Sequence, residues 1–160
     1  MKWLFWWGGL LLLSAACTHL SPTATTMAPS TEIQPLARWF NLTILPQPVQ
    51  AQWVQRQRGI GGSAPGPTDF YVVAVLTYDW VAPDLATYLQ LQPRDTVYAE
   101  AQLLESWMPA VIRSHFTVTP EGYLRFDGPA YKAEGVLKSP LSYGYILIVE
   151  NYIFIYGATR

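Results

Sequence analysis

The chain has 160 residues, 51% apolar and 14% aromatic, which excludes disorder over most of its length. Only 13% of the residues are charged, 10 basic against 11 acidic. The basic ones are scattered singly apart from Arg56 and Arg58, so the basic stripe of a nucleic-acid binder is missing and no nucleic-acid partner is expected.

At the N-terminus, Met1 and Lys2 give a positive start, an apolar run extends from Trp3 to Leu13, and the small residues Ser14, Ala15 and Ala16 precede Cys17. These are the three parts of a secretory signal. Trp3 to Ala16 is 14 residues, whereas a helix needs ~20 to cross a bilayer, so a cleaved signal is expected at 1–16. Leu13-Ser14-Ala15-Ala16-Cys17 resembles the lipobox of bacterial lipoprotein precursors, with Ser14 in the place where leucine is commonest. The resemblance covers these residues alone. It implies that signal peptidase II cuts before Cys17, that the Cys17 thiol carries a diacylglycerol, and that this lipid is the link to a membrane. Thr18 is not the aspartate that retains such proteins at the inner membrane, so the resemblance implies the periplasmic face of the outer membrane. Cys17 is the single cysteine, which leaves no internal disulfide. Residues 17–35, rich in Ser, Thr, Ala and Pro, are expected to form a flexible tether to one globular domain at 36–160.

Within the domain, Arg38 to Ile44 and Val49 to Gln57 suit strands; in the second, Val49, Ala51 and Trp53 alternate with glutamines, predicting one buried and one wet face. Arg58 to Thr68 is a Gly/Pro-rich loop. Phe70 to Leu76, a continuous apolar and β-branched run, predicts a central strand buried on both faces. Pro83 to about Leu89 predicts a short helix. A longer one is expected from Asp95, with Val97, Ala101, Leu104, Met108 and Val111 at helical spacing and a kink near Trp107 imposed by Pro109. Hairpins are expected at Phe116 to Phe126 around Pro120-Glu121-Gly122, and at Tyr145 to Tyr156 around Glu150-Asn151. The fold class is α+β: an antiparallel sheet of about five to seven strands, with one short and one longer kinked helix on one face.

No catalytic constellation is visible. If Cys17 is acylated no thiol remains, and His115, at a helix end, is the one domain histidine that could serve as a base. There is no His or Cys pair at metal-ligand spacing and no complete phosphate-binding glycine motif, so no metal and no cofactor are expected. Arg56, Arg58, Gly59, Gly61 and Gly62, with Asp69 at the far end of the loop, form a candidate interaction surface. Tyr143, Tyr145, Tyr152 and Tyr156 cluster around the C-terminal hairpin, and Trp39, Trp53, Trp80 and Trp107 are spread through the domain, residues suited to core packing or to recognition of sugar, lipid or protein. The leading expectation is a non-enzymatic, membrane-tethered envelope lipoprotein that binds a protein partner or helps assembly. The alternative is a binder of a lipid or another small apolar ligand, and an envelope hydrolase using His115 is the third.

Overall fold

A computed structural model describes residues 28–57, 69–79, 85–100 and 103–159. The signal segment, Cys17, most of the tether and the loop Arg58 to Thr68, with Arg58, Gly59, Gly61 and Gly62, lie outside the described residues, as does Trp80.

The fold is α+β and is built on a six-stranded antiparallel sheet in the order β1-β2-β9-β8-β7-β3. Its strands are β1 (Gln50–Gln57), β2 (Phe70–Thr77), β3 (Pro93–Arg94), β7 (Ala130–Lys132), β8 (Tyr143–Val149) and β9 (Tyr152–Ala158). A smaller antiparallel sheet has the order β4-β6-β5, from Tyr98–Ala99, Leu124–Phe126 and Phe116–Val118. Three short α-helices, α1 (Ile33–Leu36), α2 (Leu85–Tyr88) and α3 (Ala110–Ser114), and one 3-10 turn at Leu42–Ile44 complete the described elements. None of these helices is long and apolar enough to cross a membrane.

The large sheet is the middle of three layers. Val72, Ala74 and Leu76 of β2 face a cluster with Leu36, Phe40, Val136 and Leu141, from α1 and the chain between β7 and β8. Val73 and Val75 face the opposite cluster, with Leu103, Met108, Ile112, Phe116 and Phe126. All five residues from Val72 to Leu76 are at most 1% exposed, so the apolar run is the doubly buried strand its composition predicts. The β8–β9 and β5–β6 hairpins also occupy their expected places.

Two expected elements are replaced. Instead of a strand over Arg38 to Ile44 there is a helical turn followed by a 3-10 turn at Leu42–Ile44, and Phe40 makes only an isolated bridge to Leu137. Leu36 and Phe40 stand one helical turn apart, joined by a backbone bond from Phe40 N–H to the Leu36 carbonyl, and both are fully buried. This explains why the turn prevails over the strand. The long helix from Asp95 is likewise absent. The chain there is extended through β3 and β4, turns at residues 103–108, and becomes helical only in α3 after Pro109, whose ψ of 138° is extended. A proline disfavours helix at the residue before it, so Met108 cannot continue a helix into Pro109. Val97 and Met108 still bury together, carried by turns rather than by one face of a helix.

Two boundaries shift as well. β1 does not divide into one buried and one wet face: Ala51 packs on one side and Val54, 4% exposed, on the other, where the second layer covers it, while Val49, expected to be buried, is 62% exposed. The folded part also starts before residue 36, since Ser30 exchanges backbone hydrogen bonds with Trp53 on the outer edge of β1. Helices lie on both faces of the large sheet, with Leu36 of α1 in one cluster and Ile112 of α3 in the other.

Candidate functional site

Across the middle of β8 and β9, Gly144 stands opposite Gly157, with Tyr145 opposite Tyr156 next to them. Side chains alternate between faces, so the glycines mark one face and the tyrosines the other. On the glycine face, a Cβ at position 157 would fall 2.8 Å from Leu141 Cδ1 and 2.9 Å from Leu137 Cδ2, so the cover chain lies directly on the backbone. On the tyrosine face the rings form a row across three strands. Tyr71 of β2 stacks on Tyr156 of β9 at 5.8 Å, and Tyr156 stacks on Tyr145 of β8 at 4.9 Å. Arg94 of β3 ends the row. Its guanidinium lies 4.8 Å from the Tyr143 ring centre and 5.9 Å from that of Tyr145, and donates to the Tyr143 hydroxyl and the Gly144 carbonyl.

The small sheet does not close over this row completely. A cavity of about 210 Å³ remains, lined by Tyr71, Tyr143, Tyr145 and Tyr156 of the large sheet and by Tyr98, Ala99, Glu100, Leu103 and Tyr123 from the opposing layer. Six of its nine described lining residues are thus tyrosines. Tyr145 is 1% exposed, and its hydroxyl has no hydrogen-bond partner among the described residues. Burial holds the Tyr145 hydroxyl protonated well above its ordinary range, an effect that the Tyr156 and Tyr143 hydroxyls reinforce and Arg94 opposes. The Tyr71 hydroxyl is pushed up in the same direction, first by burial and then by Glu105, against Arg56, with Glu100 adding to the rise. At neutral pH these groups are therefore neutral hydroxyls, able both to donate and to accept.

Arg56 stands in β1 opposite Tyr71 and forms a two-bond ion pair with Glu105, Nε to Oε1 at 3.1 Å and Nη2 to Oε2 at 2.8 Å. The Trp107 indole donates to the same carboxylate at 2.9 Å. This three-residue clamp fastens the 103–108 segment, with Leu103 of the cavity wall, to the edge of the sheet. Asp69 lies elsewhere, at the start of β2, where its carboxylate accepts from Thr159 Oγ1 at 3.4 Å. Of the surface expected around the glycine loop, only Arg56 and Asp69 fall among the described residues. His115 sits at the end of α3, its Nδ1 2.9 Å from the Asp127 carbonyl and its ring against Phe126, and it does not line the cavity. Among the described residues no three His, Cys, Asp or Glu side chains come together in a way that could hold a metal ion.

Sequence position singles out Tyr143, Tyr145 and Tyr156, which the structure brings into the site, and Tyr152, which packs against the core instead. Tyr71, Tyr98 and Tyr123 are not singled out, because each stands alone in its own segment. The signal that could have found them is compositional: 10 tyrosines against 6 phenylalanines is more phenolic hydroxyl than a purely apolar core requires. The described tryptophans have structural duties, Trp53 donating to the Glu32 carbonyl and Trp39 packing edge-on against Phe70. No protein-family model matches this chain, and no curated protein or solved structure does so.

Proposed function

We propose that this protein is a lipid-anchored envelope module that binds a small ring-bearing ligand between its two sheets, with Cys17 carrying the anchor at the periplasmic face of the outer membrane. The observation that carries the binding reading is the convergence of six tyrosines from both layers on one cavity. Ligand sites are concave and aromatic-rich, with a few polar groups that fix orientation, and here the tyrosine rings supply the apolar body and their hydroxyls the polar tips. This reading stands ahead of a protein-binding surface around Arg56, whose guanidinium is engaged with Glu105. The anchor rests on the lipobox, since two acyl chains give stable attachment where one gives marginal binding.

The two halves are tested separately. Cys17→Ser should release the protein from the membrane fraction or leave its signal uncleaved; unchanged mass and unchanged fractionation would remove the anchor. For the cavity, ring compounds are screened against the full chain in detergent micelles by ligand-observed NMR. Hits are expected to lose binding in Tyr98→Ala or Tyr123→Ala variants, whose exposed rings the fold can spare. Hits indifferent to both changes would count against a site here.

A further inference from the structure

We propose that the cavity takes the ring of a neutral saccharide, an inference that rests on the binding reading above and names its ligand class. The aromatic side chains most exposed among the described residues are Tyr98 at 58%, Tyr123 at 54% and Tyr143 at 40%, and all three line this one cavity. They come from β4, from the turn before β6 and from β8, so sequence proximity does not explain their convergence. Aromatic surface held open to water in one place is a stacking platform.

The chemistry of the lining selects among ring ligands. Among the described residues no lysine or arginine lines the cavity, and the Glu100 carboxylate is the one formal charge in that lining. Phosphates, sulfates and carboxylates would meet the Glu100 carboxylate, while the nearby Arg94 guanidinium is already engaged with the Gly144 carbonyl and the Tyr143 hydroxyl. A quaternary ammonium would compete with Arg94, whose guanidinium already lies over the Tyr143 and Tyr145 rings. Acyl chains fit poorly, because among the described lining residues only Ala99 and Leu103 offer purely aliphatic surface. The space also suits one ring, since a cavity of about 150 Å³ accommodates a benzene molecule and this one is about 210 Å³.

A pyranose matches what remains. Its C–H face stacks on a phenol ring, and its edge of hydroxyls exchanges hydrogen bonds with tyrosine hydroxyls, which donate and accept. A carboxylate has about four lone-pair sites, so Glu100 can accept from sugar hydroxyls beyond any contact it already makes.

The test uses the full-length chain in micelles and saturation-transfer NMR with the methyl glycosides of glucose, galactose, mannose and N-acetylglucosamine. Choline chloride, indole and inorganic phosphate serve as comparison probes. Expected is transfer to the ring C–H protons of at least one glycoside, with affinity falling about tenfold in Tyr98→Ala and in Tyr123→Ala, the loss of one stacking contact. The melting temperatures of both variants should match the parent. If choline or indole binds with that tyrosine dependence and no glycoside does, the saccharide class is overturned while the cavity stands. If no probe binds, the saccharide proposal is overturned together with the binding reading beneath it.

Discussion

Arg56 shows how a residue that looks available in sequence is spent in the fold. Flanked by glutamines, with Arg58 close by, it reads as a contact residue, yet its side chain is 23% exposed and forks onto Glu105, which is 10% exposed. Arg56→Met should leave that carboxylate with the Trp107 indole as its principal partner and lower the unfolding free energy by about 1–3 kcal/mol, measured by urea denaturation. Arg56→Lys keeps the charge but not the planar fork, so it should recover only part of the loss. The tyrosines run the other way. Tyr143, Tyr145 and Tyr156 are legible as a cluster because a hairpin brings them together locally, whereas Tyr71, Tyr98 and Tyr123 become neighbours only through strand order. Single-residue pattern has no access to that information.

Among the elements, those written by composition over seven or eight residues were legible. β2 is apolar without interruption, and β8 and β9 flank a two-residue turn in which Glu150 takes a left-handed φ of 51°. Strands as short as β3, β4 and β7 show no period of two; β5 and β6 are equally short but legible from the Pro120-Glu121-Gly122 turn between them, a signal that β3, β4 and β7 lack. The helical spacing from Val97 onward misled because burial alone satisfies it: Val97, Leu104, Met108 and Val111 reach one core cluster by way of short strands and turns, and helix begins only after Pro109. The β8–β9 pair carries its own constraint at Gly144, where any Cβ would collide with the Tyr156 backbone carbonyl, a group that cannot rotate away as a side chain could. Gly144→Ala should therefore prise the two strands apart beneath the tyrosine row and destabilise the protein by about 1–3 kcal/mol. Chemical denaturation measures the loss, and a parent-like midpoint would show that the hairpin can shift to accommodate the methyl group.

For the whole molecule, layering on both faces of one sheet buries phenols that most folds would leave wet. Burial raises the hydroxyls of Tyr78 and Tyr145, and burial with Glu105 raises that of Tyr71. In the unfolded chain these groups lose their protons near pH ~10, while the folded chain retains them. Above that pH the unfolded state binds fewer protons, so stability falls as pH rises; below it the contribution is fully present. The urea midpoint should hold between about pH 8 and 9.5 and decline beyond. Tyr78→Phe, which removes a hydroxyl that donates to the Pro46 carbonyl at 3.2 Å, should make the decline shallower. An alkaline limb of equal slope in parent and variant would mean that Tyr78 ionises as readily folded as unfolded.

The strand order also has a consequence for how the chain is made. β9, the last to be made of the strands among the described residues, belongs between β2 and β8. β2 is synthesised far ahead of it and, until β9 arrives, has β1 on one edge and nothing native to place on the other. An open edge of the sequence FYVVAVLT is a template for pairing with other nascent copies. Synthesis thus separates the two halves of the sheet in time. Until β9 has been made, the β2 edge stays open and the sheet cannot close.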